Sequence, residues 1–260
     1  MPAVSFLDTI PLSAFLVIAT IGLALAIEGG FRLGTWRRKQ TTSERDSPVG
    51  AVVAATLGLV GFILAMTFGF AVSRFEGRQA AFLGELNAIG TTYLRADFLP
   101  EPQQERSKLA LREYVDARVE AVEHKSIAQG IALSEALHVR LWATLTSLAP
   151  SELNSLSVTL YTQSLNEVID LHEQRIVAGL HQRIPQILWL VLFIISLLGM
   201  VEIGYQTALA GSTRTPVSLG LVMAFALLLY LIADLDRPLE GSLRMNEAMM
   251  RELREKLEPH

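Results

Sequence analysis

The chain has 260 residues, 51% of them hydrophobic and only 18% charged, and its mean hydropathy is +0.37. A charged share well below the roughly one quarter of an average globular chain, with apolar residues gathered in unbroken blocks, excludes a purely water-soluble protein. The 22 Lys and Arg against 26 Asp and Glu give a net charge of -4, without the basic excess a nucleic-acid partner requires; the lack of cysteine excludes disulfides, thiol nucleophiles and Cys-based metal sites.

A hydrocarbon core about 30 Å thick takes roughly 20 helical residues to cross. Four stretches with at most one charge meet that length. The first, Ile10–Ile27, lies between Asp8 and Glu28, with Pro11 near its start. Ala24-Leu25-Ala26 would also suit a signal-peptide cleavage site, but no Lys or Arg precedes the run and the run is long, which favours a retained helix. The second stretch, Ser47–Ser73, predicts a helix over about 48–73. The third opens at Pro185 and runs past Glu202 to about residue 205, and the fourth follows Pro216 and ends at Asp234. Trp189 and Tyr230 lie near helix ends, where amphipathic rings favour the headgroup level. Orientation stays open on charge alone. Arg32, Arg37, Arg38, Lys39, Arg45 and Arg214 fall on one side; Arg74, Arg78, Arg175, Arg183, Arg237, Arg244 and Arg251 fall on the other.

Residues 74–184 form the one sizeable polar region, and their apolar residues recur at helical spacing. Phe75, Phe82, Leu86, Ile89 and Tyr93 share a face, so the second membrane helix is expected to continue until Pro100 and Pro102 stop it. A helix near 103–124 aligns Leu111, Val115, Val119 and Val122, and one near 132–148 aligns Leu133, Leu137, Leu141, Leu145 and Leu148. After Pro150, Ser151 is expected to cap a helix carrying Leu153, Leu156, Leu160, Leu171 and Ile176 towards Pro185. Both flanking helices are thus expected to run through the membrane boundary. The tail alternates charge, with Leu243, Met250, Leu253 and Leu257 in a stripe, and reads as a helix on the domain or on the membrane surface. The fold class is all-α: an integral membrane protein with four transmembrane helices and a helical extramembrane domain between the second and third. Its parts are an N-terminal hairpin (1–73), the helical domain (74–184), a C-terminal hairpin (185–235) and a charged amphipathic tail (236–260).

The second membrane helix carries a row of small residues, Gly50, Ala54, Gly58, Gly61, Ala65 and Gly69, a helix-packing face that serves either contacts inside one chain or contacts between chains around a pore. Beside it, Phe62, Met66 and Phe70 stack at i, i+4 and i+8. Around a common axis they would form a neck that gates by dewetting; otherwise they face lipid or a neighbouring helix. Glu202, an ionisable residue inside a span, is either functional or reaches the interface to pair with Arg214. Asp234, Asp236 and Glu240 could offer oxygens to a hard cation, but without EF-hand spacing, and with Arg237, Pro238 and Gly241 beside them, a structural helix end is the stronger reading. No catalytic fingerprint is present, and neither an enzyme nor a cofactor is expected. Glu135 and His138 form a single Glu-x-x-His, and His138 reads as a core or surface histidine. Asp170 and Glu173 share a face that His172 does not.

Four segments, RFEGRQAAFLGELNAIGTTYLRADFLPEP, LREYVDARVE, LNEVIDLHEQRIVAGLHQRIPQILWLVLFIISLLG and LIADLDRPLEGSLRM, resemble the bestrophin-like family of bacterial integral membrane proteins, from about Gly29 to Leu257. The resemblance implies a homo-oligomer, expectedly a pentamer, in the inner (cell) membrane, passing small inorganic anions along a neck lined by the second helix. Phe62, Met66 and Phe70 are the nearest apolar stack. It also implies cytoplasmic termini and a cytoplasmic central domain. The long acidic run that binds Ca²⁺ in eukaryotic bestrophins is missing after the fourth helix. The alternative is a membrane-anchored sensor or scaffold whose helical domain binds a partner.

Overall fold

The computed structural model describes residues 9–40, 49–124, 126–212, 216–237 and 248–258. Helices make up nearly all of them, and no strand occurs among the described residues. Their order is α1 (Leu12–Gln40), α2 (Val49–Arg95), a 3₁₀ turn (Ala96–Phe98), α3 (Gln103–Glu123), α4 (Ile127–Thr146), α5 (Pro150–Leu153), α6 (Leu156–Ile176), a π turn (Val177–His181), α7 (Gln186–Leu209), α8 (Val217–Asp236) and α9 (Ala248–Leu257). Among the described residues, four helical segments are long and apolar enough to cross a membrane. The chain divides into two compact units, Met1–Glu76 with Gln182–Arg244, and Gly77–His181 with Met245–His260.

In the first unit α1 lies along α7. Lipid is as apolar as leucine, so such a pair is held by close packing rather than by water exclusion. Glycine permits the approach: a Cβ at Gly30 would stand 1.9 Å from the Val201 carbonyl oxygen, and one at Gly204 2.1 Å from that of Ile27. One end is filled by rings, with Phe15 edge-on to Trp189 at 5.9 Å and to Phe193 at 5.7 Å. Against the expected end at Ile27, α1 continues to Gln40, because Gly30 and Gly34 still seat on α7 and Arg32 pairs with Glu28 one turn back at 2.7 Å. Gly211, with φ +73°, ends α7; its N–H reaches the Ala208 carbonyl at 3.1 Å, and the Ser212 N–H that of Thr207 at 3.3 Å.

In the second unit, α3 and α4 meet tightly: a Cβ at Gly130 would lie 2.2 Å from that of Ala121. Leu111, Leu141, Tyr161 and Leu165 are fully buried in one cluster, Ile89, Tyr114 and Val168 in another. Each large apolar side chain so placed contributes roughly 1.5–3 kcal/mol by leaving water. The α9 helix buries Met250 and Leu257 in the second cluster, and Arg254 meets Asp116 on α3 at 2.7 Å. The tail helix therefore lies on the domain.

Two expectations for the helix leading towards Pro185 are corrected. Ser155, not Ser151, caps α6, its Oγ accepting the Val158 N–H at 3.2 Å. That start sets a new phase, so Val158, Tyr161, Leu165, Val168 and His172 face inward, while Leu156 is exposed. Nor does α6 run on into α7. Residues 182–185 leave the helix, and the Ile184 N–H is held by Asp236 Oδ1 at 2.9 Å instead of by a helical carbonyl. Pro185, which disfavours a helical residue before it, fixes the break. Of the two flanking helices, only α2 is continuous.

Candidate functional site

Within its apolar stretch α2 buries a single stripe, Val53, Val60, Leu64, Thr67 and Ala71. At roughly 100° per residue, Gly58, Phe62 and Gly69 point the opposite way, with Met66 and Phe70 beside them. Phe62 is 66% exposed, Met66 42% and Phe70 49%, and among the described residues nothing lies within 4 Å of a Cβ placed at Gly58, Gly61 or Gly69. Ala54 and Ala65 are exposed on the same side, while Gly50 is closed off by the Gln206 amide, 2.9 Å from a Cβ there. Every exposed residue from Ala51 to Ser73 is uncharged. The outward side of α2 is thus a strip of bare backbone flanked by a row of bulky apolar side chains.

Beyond that stretch, α2 carries Glu85, which is fully buried. The Tyr114 hydroxyl donates to its Oε1 at 2.6 Å, Arg175 Nε pairs with Oε2 at 2.8 Å, and Arg118 donates to Oε2 at 3.4 Å. Burial alone would raise the carboxyl's pKa, but the His172, Arg118, Arg175 and Tyr114 contacts outweigh it and hold the pKa at about 2. Burial and the Glu85 charge push the Tyr114 hydroxyl well above its ordinary value. Burial, then the neighbouring His172, lowers His138 to about 4. His138 stacks on Tyr114 at 5.0 Å and meets the His172 ring edge-on at 4.8 Å. The arrangement is an ionised carboxylate locked between two guanidinium groups, a tyrosine and two imidazoles, built from α2, α3, α4 and α6.

Composition and periodicity alone pass over this cluster. Its signal is present all the same, since Glu85 falls three residues after Phe82 and four before Ile89, on the face those apolar residues bury. Among the other sequence candidates, Glu202 is partly buried, and its Oε2 has no hydrogen-bond partner among the described residues. Arg214 and Glu240 lie outside the described residues. Asp234 and Asp236 are buried, and Asp236 is spent on the Ile184 N–H and, at 3.3 Å, on Arg183 Nε. Arg237 donates to the Ile10 carbonyl at 2.7 Å, so the end of α8 ties the start of α7 and the entry to α1.

Four apolar helices on an all-helical frame define a multi-pass membrane protein. The bestrophin-like domain family matches residues 13–250, and the chain belongs to that family. Among solved structures, it is similar to a bacterial bestrophin homologue from Klebsiella pneumoniae carrying one substitution, with a TM-score of 0.66 and 15% identity over 94% of this chain and 96% of that one. A second variant of the Klebsiella pneumoniae homologue gives a TM-score of 0.66 and 14% identity over the same shares, 94% and 96%. A crystal structure described as a membrane protein gives a TM-score of 0.62 and 14% identity over 95% and 97%. At such identities the likeness is one of fold. No curated protein matches the chain.

Proposed function

We propose that the protein is a passive anion channel, in which several copies, five by resemblance to the family, gather around an axis lined by α2. The observation that carries this reading is the outward face of α2. Gly58, Gly61, Ala65 and Gly69 leave backbone bare for a neighbouring helix, and Phe62, Met66 and Phe70 project beside them, each exposed. Copies brought together on the small residues would turn the bulky row towards the axis, as a narrow apolar neck that water leaves readily. Aromatic rings present a positive edge, so a partly dehydrated anion passes such a neck without a fixed cation, whereas a small cation meets no compensating charge.

The test is ion flux from liposomes holding the purified protein, under chloride and potassium gradients, with the oligomer mass recorded on the same sample. The expected result is chloride-selective flux from an oligomer, and higher chloride flux after Phe62, Met66 and Phe70 are all replaced by alanine, because the neck widens. Unchanged flux in the triple variant removes the neck from these residues. No flux of either ion from a folded oligomer turns the reading to a membrane-anchored sensor or scaffold.

A further inference from the structure

The polar cluster of the helical unit is built outward from Glu85, and at its edge an imidazole nitrogen is left over. The Tyr114 hydroxyl donates to Glu85 Oε1, 2.6 Å away, and so spends its proton there. The Tyr114 oxygen lies 2.9 Å from His172 Nδ1 and, with its proton committed, receives the Nδ1–H. Arg175, 3.3 Å from the same nitrogen, is the weaker neighbour. The Tyr114 contact takes up Nδ1, and Nε2 is the ring nitrogen left to face a ligand. That nitrogen is buried, in a side chain with no exposure, and has no hydrogen-bond partner among the described residues. A polar nitrogen left unmet in such a place is costly.

Two carboxylates meet that ring. Glu135 on α4 and Glu173 on α6 each bring an oxygen within 4.8 Å of the other and of a ring nitrogen of His172. Both glutamates are exposed, so their carboxylates can meet an ion arriving from solvent. Next to it stands His138, whose own Nε2 is buried and unpartnered among the described residues.

We propose that the helical unit holds a divalent transition-metal ion of the Zn²⁺ class, bound by His172 Nε2 and the carboxylates of Glu135 and Glu173, between α4 and α6. One nitrogen and two carboxylate oxygens are a donor set suited to such an ion, and two negative charges balance its two positive ones. Tetrahedral ligands around zinc sit roughly 3.3 Å apart, a distance the exposed glutamate side chains close by rotation while the imidazole stays fixed. The Glu85–Tyr114–His172 relay is the carboxylate-backed histidine that metal sites use to orient the ligating ring and raise its basicity. The site does not depend on the channel reading, because every residue in it belongs to the helical unit.

The test uses the full, untagged chain in detergent, titrated with Zn²⁺ by calorimetry, with X-ray absorption on the loaded protein. One Zn²⁺ per chain is expected, with an imidazole nitrogen in its shell and a raised Tm. Glu135→Gln with Glu173→Gln, two isosteric changes at exposed positions, should weaken binding at least about tenfold and abolish the Tm gain, leaving the metal-free Tm as in the unaltered chain. Any of three results overturns the proposal: no bound zinc, zinc bound without an imidazole, or equal affinity in the double variant.

Discussion

Glu85 shows how much one side chain can hold. It sits in a helix among apolar neighbours, and the cost of burying its charge is met only because Arg118, Arg175 and Tyr114 all converge on it. Glu85→Gln keeps the shape and removes the charge, leaving two buried guanidinium groups facing an amide; the expected loss is on the order of 3 kcal/mol, read as a lowered Tm at pH 7. The same cluster sets an acid response. His138 titrates at about 4 when folded against an ordinary 6.5, so the unfolded chain takes up its proton first and stability falls as pH drops from about 6.5 to 4. Glu85 titrates at about 2 against an ordinary 4.5, so its contribution is complete above about 4.5 and drains as pH falls towards 2. Melting curves from pH 7 to pH 2 should therefore fall through both windows in the unaltered protein. Glu85→Gln should start lower and stay flat through the more acid one, and parallel curves would show that Glu85 does not carry the acid response.

The helices were legible from the chain where one period ruled, and illegible where two helices had to meet. The long α2 could be read from Phe75, Phe82, Leu86 and Ile89, because one face repeats through it. The start of α6 could not, since Ser151 and Ser155 offer the same capping chemistry and only the packing of Val158 and Tyr161 selects between them. The glycines divide in the same way. The row on α2 stands out in the sequence, yet among the described residues the glycines that meet another helix most closely are Gly30 and Gly204, on helices where nothing in the local pattern marks them. Two substitutions separate the roles. Gly30→Ala drives a methyl into the Val201 carbonyl and should destabilise the chain by about 1–3 kcal/mol or prevent its folding, judged by yield and Tm. Gly61→Leu meets nothing within 4 Å of its Cβ among the described residues, so the protein should fold, but the bulk on the face proposed to meet a second copy should reduce the oligomer mass measured by light scattering. A variant at Gly61 with full oligomer mass would remove this face from the subunit contact.

Over the whole molecule the C-terminal helix constrains the topology. Tyr93 donates to the Leu257 carbonyl at 3.2 Å, and Arg254 pairs with Asp116, so residues 248–258 and the helical unit share one side of the membrane. Between them the chain passes through α7 and α8, and only an even number of crossings returns it to that side; two apolar helices supply the two crossings. The basic residues near the spans divide almost equally between the two sides. We propose the cytoplasm for the helical unit, by resemblance to the family. Because the chain has no cysteine, single cysteines report the answer without background. Ser147, exposed at the end of α4, and Ser212, exposed after α7, stand on opposite sides if α7 crosses once. In intact cells an impermeant thiol reagent should label Ser212→Cys and leave Ser147→Cys unmodified until the membrane is opened. The reverse pattern would invert the protein, and labelling of both in intact cells would mean that α7 does not cross.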